Sequence, residues 1–409
     1  MSDIEMNPDR KPYIVRLREK GKRTDSKRDK TEIVQESVGP TLTFNDIGSL
    51  PDNFIPPSSP DGLVASDIND QGLRSVFLCL TEKEAKALES DKGNVELVEE
   101  DGLMYISEYA FSEGPSAAGT APADVTAQAD QIPWGIANVS APHCWNATRG
   151  HGISVAVLDT GIWPHIDLRP NLLGGISFVP GQSWIDGQGH GTHVAGTIAA
   201  ALNGFGVVGV APSAGLFAMK VLGNNGSGNW SWLMQALYRL RRNYGCVFDV
   251  ANMSLGGSAP SVLEAYINYA SVNCLLVAAA GNYPPSVNPK PVMHPAKYPK
   301  VVAVSAIDNN NVIAPFSARG PEVEICAPGV KILSTIPGNN YAEFSGTSMA
   351  SPHVAGCAAL VRGTHRFSDM DQIRVILQQT ALNLGPPGRD SEYGFGRVNC
   401  SGVHRRNCG

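Results

Sequence analysis

Three segments of the sequence carry side chains whose types and order could perform nucleophilic catalysis. Val155-Ala156-Val157-Leu158-Asp159-Thr160-Gly161 sets an acid at the end of an apolar run. Such an acid can cap a turn, or it can ionise and orient a histidine. Asp-Thr-Gly also marks aspartic peptidases, which need two such carboxylates sharing a proton. It occurs once here, so that chemistry would require a homodimer. Gly189-His190-Gly191-Thr192-His193-Val194-Ala195-Gly196 follows. Two histidines three apart could ligate a metal, but no third ligand stands at a recognisable spacing. The interleaved glycines imply close backbone approach, and His190, in the glycine-flanked position, is the candidate general base. His193 is expected to be buried and hydrogen-bonded. The third segment is Phe344-Ser345-Gly346-Thr347-Ser348-Met349-Ala350-Ser351-Pro352-His353. Ser348 there can serve as a plain helix cap or as a nucleophile, because the positive end of a helix favours an oxyanion forming beside it. No Gly-X-Ser-X-Gly occurs, which excludes the nucleophile elbow of α/β-hydrolases.

These residues need a scaffold, and the second half of the chain reads as one. ISVAVLD, GLFAMKVL, DVANMSL, CLLVAAAGN and VVAVSAID are strand-like runs. They alternate with the helical HVAGTIAAAL, SWLMQALYRLRRN, SVLEAYINYA and MASPHVAGCAALV. Such alternation implies an α/β fold, a doubly wound and mostly parallel sheet covered on both faces. Ligands of such sheets sit beyond the carboxyl ends of the strands.

The first 110 residues differ, with 14 Lys/Arg and 22 Asp/Glu for a net of −8, whereas the remainder has 18 and 16 for a net of +2. Strands are expected at Tyr13–Arg18, Arg74–Leu80 and Val95–Ile106, with a loop over 38–71 and a capping box of Thr81 and Glu84 opening a short helix. An acidic patch lies at Glu99, Glu100 and Asp101. The division is a small α+β domain over 1–111, a linker with a processing site over 112–129, and the large domain over 130–409. The mild basicity of the body could help hold the acidic front.

Across all 409 residues, 43% are hydrophobic and 17% charged, with 43 Gly, 29 Pro and a net charge of −6. That excludes a disordered or coiled-coil protein and argues against a non-specific nucleic-acid binder. No apolar run reaches the length of a transmembrane helix, so no membrane partner is expected. The N-terminus has no signal-peptide pattern, which by itself points to the cytoplasm. Cys79, Cys274 and Cys357 lie in apolar runs and read as small buried hydrophobes, while Cys400 and Cys408 are near enough to pair.

The three boxes VLDTGI, GHGTHVAGTIAA and SGTSMASPHVAG, in that order, resemble those of the subtilisin-like serine peptidases, and the likeness runs from about 128 to 403. The front, through YIVRL and VELVEEDG, resembles the inhibitory propeptide of that family. The resemblance implies a serine endopeptidase acting on polypeptides and made as a self-inhibited precursor, with a catalytically silent peptide-binding relative as the alternative. It implies Ser348 as nucleophile, His190 as general base, Asp159 as its orienting acid, and Asn282, ending VAAAGN, as oxyanion donor. Gly226-Ser227-Gly228 and Ser254-Leu255-Gly256 would flank an extended peptide. Ala280 and Gly281, with Ala279, would line a roomy pocket without an acid, so large apolar side chains are expected there. A structural calcium site is implied at Asp130, Asp167 and Asn203, with Ala201, Phe205 and Val207 of the same loop. A monomer is expected, and by resemblance an extracellular location.

Overall fold

The computed structural model describes residues 10–18, 68–70, 73–106, 129–241, 248–366 and 368–401. Nearly all of the expected 112–129 linker, and Cys408, lie outside them. The front is an antiparallel sheet of β1 (Arg10–Leu17), β2 (Ile68–Asp70), β3 (Leu73–Thr81) and β4 (Val95–Glu100), ordered β2-β3-β1-β4, with helix α1 (Glu82–Ser90) packed on it. Of the loop expected over 38–71 only 68–70 lie within the described residues, and there the expectation is corrected, because they pair with β3 as an edge strand. That pairing is made by backbone groups, so Ile-Asn-Asp needs no strand propensity of its own. The capping box forms as expected, Glu84 N donating to Thr81 Oγ1 and Thr81 N to Glu84 Oε2.

Strand alternation splits the burial of this sheet. Val15, Leu17, Val76, Leu78, Leu80 and Val95 face α1 and form a small core with Ala85 and Leu88. Ile14 and Phe77 face the other way and join the core of the large unit. The strand expected over Val95–Ile106 is in fact two. It breaks at Asp101-Gly102, and β5 (Leu103–Ile106) leaves the front sheet altogether. The break has a tertiary cause: the Asp101 carboxylate accepts a hydrogen bond from Ser231 N, and Trp230 N donates to Gly102 O.

The large unit runs through α2 (Trp134–Asn138), β6 (Ser154–Asp159), β7 (Leu172–Ser177), α3 (His190–Ala199), β8 (Gly215–Lys220), β9 (Ser227–Asn229), α4 (Trp230–Arg241), β10 (Val250–Met253), β11 (Leu255–Gly256) and α5 (Leu263–Ala270). It continues with β12 (Leu275–Ala279), β13 (Val301–Ile307), β14 (Val323–Pro328), the β15 (Ile332–Ile336) and β16 (Asn340–Phe344) pair, α6 (Thr347–Thr364) and α7 (Met370–Thr380). Seven strands make one sheet in the order β14-β13-β12-β10-β6-β8-β7, every pairing parallel. The continuous apolar runs are explained by burial on both faces. Val155 and Val157 enter a core shared with α3 and α6, while Ala156 and Leu158 enter one shared with α4 and α5. β6 lies centrally, with the chain passing to β8 on one side and β10 on the other, so a crevice opens at its carboxyl end. Among the described residues no helix is long and apolar enough to cross a membrane.

Candidate active site

Asp159 is the last residue of β6 and His190 the first of α3; both are fully buried, and His190 Nδ1 lies 2.7 Å from Asp159 Oδ1. Thr160 N also donates to that oxygen at 2.7 Å. With Nδ1 engaged by a carboxylate, the imidazole is held in one orientation and Nε2 is the nitrogen left to exchange protons. The glycines behave as the sequence suggested. Gly189 sits at φ 112° before the helix, and a Cβ at Gly191 would run into the Gly161 carbonyl and Asp159.

One residue that positions this loop was not singled out from the sequence. Asp186 is buried, and its Oδ1 accepts from Thr160 Oγ1, Gln188 N and Gly189 N, each at 2.9 Å. Its Oδ2 accepts from Thr192 N at 3.0 Å and Thr192 Oγ1 at 2.6 Å. A single carboxylate thus shapes the turn from β6 and the entry to α3. The available signal was an acid four residues before His190 in a glycine-rich turn. Lys220, at the end of β8, is also buried, its Nζ donating to Thr160 O and Asn224 Oδ1; burial lowers its pKa.

Ser348 is the second residue of α6, in the first turn where backbone N–H groups lack helical partners. Its Oγ donates to Ser254 O at 3.2 Å, and Ser254 Oγ donates back to Ser348 O at 2.8 Å. Ser254 directly follows β10, so a strand end and a helix start are tied together. Asn252 extends the tie, its Nδ2 donating to Ser254 Oγ and its Oδ1 accepting from Ser351 Oγ. Asn282 lies three residues past β12, and its Oδ1 accepts from Thr347 N at 3.0 Å and Thr347 Oγ1 at 3.1 Å. These two donors fix which end of the amide is oxygen, so Nδ2 is the end presented as donor. Thr347, given no role in the sequence reading, therefore orients Asn282. His193 is the buried, hydrogen-bonded residue expected: Nε2 approaches Ile332 O at 2.8 Å and the ring stacks on Phe344, with burial pushing its pKa down to about 3.

Five of the six residues expected to flank a peptide, Gly226, Ser227, Gly228, Leu255 and Gly256, lie against a strand of the same chain. β5 lies between β9 and β11 as the middle strand of an antiparallel sheet. Tyr105 pairs with Ser227 and Gly256, Met104 with Gly228, and Ile106 with Leu255, while Ile106 N donates to Gly226 O at 3.0 Å. Met104 is buried, whereas Leu103 and Tyr105 are 47% and 52% exposed, so alternate side chains enter the cleft. Ala280 is buried, and Gly281, at φ 115°, rests against Met293.

The front is held at two helix starts. Glu99 accepts from Ser261 N, Ser261 Oγ and Val262 N just before α5, and Asp101 accepts from Ser231 N in α4. Two acids of the patch, Glu99 and Asp101, are thus met by helix N-termini, while Glu100 lies 3.7 Å from Lys11 of the front itself.

A separate cluster gathers most of the expected metal ligands. Asp130 accepts from Asn203 N and Gly204 N. Asp167 accepts from Asn203 Nδ2 at 3.2 Å, Val207 N at 3.1 Å and Tyr341 OH at 2.7 Å. Burial first, and the charge of Asp130 as well, push the Asp167 carboxyl up. Ala201 and Phe205 take part through their N–H groups, on Asp167 O and Asn203 Oδ1.

Residues 150–396 match the model of the peptidase S8 family, described as the subtilase family. The chain is 49% identical over 287 residues to an alkaline protease of Shouchella clausii, covering 69% of this chain and 72% of that protein. It is likewise 49% identical over 281 residues to subtilisin Savinase of Lederbergia lenta, covering 68% of this chain and all of that one. A thermostable alkaline protease of Halalkalibacterium halodurans is 44% identical over 325 residues, 78% of this chain and 80% of that protein.

Proposed function

The chain belongs to the subtilase family and is a serine endopeptidase acting on polypeptides; from that premise we propose that Asp159, His190, Ser348 and Asn282 perform the reaction in a precursor that blocks itself with its own front. Ser348 Oγ adds to the peptide carbonyl while His190 Nε2 takes its proton. Asp159 holds the ring and stabilises the imidazolium. Asn282 Nδ2 and the Ser348 N–H receive the oxyanion. His190 then protonates the leaving amine, and water, deprotonated by the same nitrogen, releases the acyl group. The buried Asp159–His190 contact carries this reading. A fluorophosphonate probe should label the processed enzyme at Ser348, and no label should appear on Ser348→Ala; labelling that survives the substitution would move the nucleophile elsewhere.

Self-blocking is supported by β5, which takes the place of a substrate strand. Its ladder ends with Ile106 opposite Leu255, the neighbour of Ser254, whose carbonyl accepts the Ser348 hydroxyl. This register supports a first cut beside Ser107, upstream of 112–129. Sequencing the earliest new N-terminus tests it: Glu108 is expected, and a first start within 112–129 would overturn it. Met104, buried three positions before Ser107, supports a cleft that also selects an apolar side chain there.

Calcium is the second element of the proposal. Asp130, Asp167 and the Asn203 amide offer oxygen donors around one loop, which suits a hard cation. Burial, with a smaller addition from the charge of Asp130, disfavours the ionised Asp167 carboxylate, a cost that a bound cation would relieve. Asn203 would turn its amide over to present oxygen, and carbonyls of Ala201, Phe205 and Val207 would complete the set. The ion would supply charge neutralisation and clamp the loop. The acid-free Ala280-Gly281 wall beside Met293 supports large apolar side chains before the scissile bond of external substrates, whereas the first self-cut beside Ser107 is set by the register of β5 and not by that pocket. Peptide profiling dominated by Lys or Arg would overturn that preference. A monomer is proposed, checked by light scattering.

A further inference from the structure

Two cysteines outside the catalytic cleft stand in an unusual relation. Cys357, in the middle of α6, and Cys400, in the C-terminal segment, have their Sγ atoms 2.6 Å apart. Unbonded heavy atoms rest at about 3.5–4.0 Å, and disulfide sulfurs at about 2.05 Å. The separation falls below the contact range and nearer to the bonded distance. We propose that Cys357 and Cys400 form a disulfide in the folded protein, fastening the helix that carries Ser348 to the C-terminal segment.

Three features besides the distance support the bond. Both residues are fully buried, so neither sulfur has a solvent-facing alternative. The backbone of Cys400 is fixed from two sides, its N–H donating to Val139 O at 3.0 Å and its carbonyl accepting from Cys144 Sγ at 3.1 Å. The flanking residues Val398, Val354 and Ala358 belong to the same closed core, which holds the sulfurs facing each other. Cys408, the partner that proximity in sequence suggested for Cys400, lies outside the described residues.

Burial holds the Cys400 thiol well above its ordinary range. The thiolate needed for exchange is thus unavailable once the segment has docked. The bond accordingly forms during folding. One cysteine, as thiolate, attacks a small-molecule disulfide such as glutathione disulfide and releases one thiol. The second cysteine then displaces the other half from the mixed disulfide. Two thiols become one disulfide, and the two electrons and two protons leave on the reagent as two molecules of its thiol.

The full chain carrying Ser348→Ala, which prevents self-digestion, is refolded in a glutathione redox buffer. It is then alkylated in denaturant without reductant and mapped as peptides. A linked pair containing Cys357 and Cys400 is expected. Its apparent melting temperature should fall by about 5–10 °C on reduction, and Cys357→Ala and Cys400→Ala should match the reduced protein and ignore reductant. A Cys400–Cys408 linkage, or alkylation of both Cys357 and Cys400 in the cysteine-intact chain, would overturn the proposal. So would a melting temperature indifferent to reductant.

Discussion

The front and the body of this molecule solve the problem of burial in opposite ways. The front has a core of eight residues under a single helix, and it turns Ile14, Phe77 and Met104 outward into the core of its neighbour. The body closes two cores of its own, one on each face of a seven-stranded sheet. A module with so small a core is marginal alone, so its order depends on docking. The contrast teaches that the charged part of the chain is the dependent one, and that two of its acids, Glu99 and Asp101, meet helix starts of the body.

The comparison is broken most severely at the nucleophile. Ser348→Ala should lower kcat by about 10⁶-fold, a magnitude taken over from subtilisin itself, and should leave the chain uncut. If the front still separated, another protease would be processing it, and self-cleavage from a body already folded would fail. Asn282→Ala should cost about 10²–10³ in kcat, again the subtilisin figure, with KM little changed in steady-state assays. A matching rise in KM would mean that Asn282 holds substrate and not the oxyanion.

Asp101 sharpens the dependence of the front on the body. Docking buries its carboxyl and raises the pKa from 3.8 to about 6. The docked state therefore holds the proton more tightly. Its contribution to docking is fully present below about pH 4 and is lost as pH rises through about 6. Front segment added back to processed enzyme should inhibit about 10-fold more tightly at pH 5 than at pH 7.5, and Asp101→Asn should flatten that slope. An inhibition constant that tightens with rising pH would reverse the assignment. The smallest effect expected is on the body: chelation should lower its melting temperature by a few degrees through loss of a bound ion. An unchanged melting curve would remove the calcium proposal.

Much of the body was legible because its signals are local. Buried parallel strands read as unbroken apolar runs, and the Asp159, His190 and Ser348 boxes each carry the glycines or helix formers their turns require. The flanking glycine segments were also legible as places where a backbone could lie. Less could be read where a contact joins distant parts. The run from Val95 to Ile106 has continuous strand character, yet it breaks at Asp101 because Ser231, 130 positions on, takes the carboxylate. Asp186 and Thr347 were given no role from the sequence because their partners, Thr160 and Asn282, are remote along the chain.

The sequence by itself determined the kind of sheet, the order of the reactive residues and the division into an acidic front and a nearly neutral body. Periodicity, turn chemistry and charge are properties of neighbouring residues. Only the tertiary structure decided that β5 fills the cleft, in which register, and that the acids at 99 and 101 sit on helix starts. It alone brought Cys357 to Cys400. Each of these depends on surfaces far apart in the chain finding complementary shape and hydrogen-bonding groups, and no local pattern encodes that meeting.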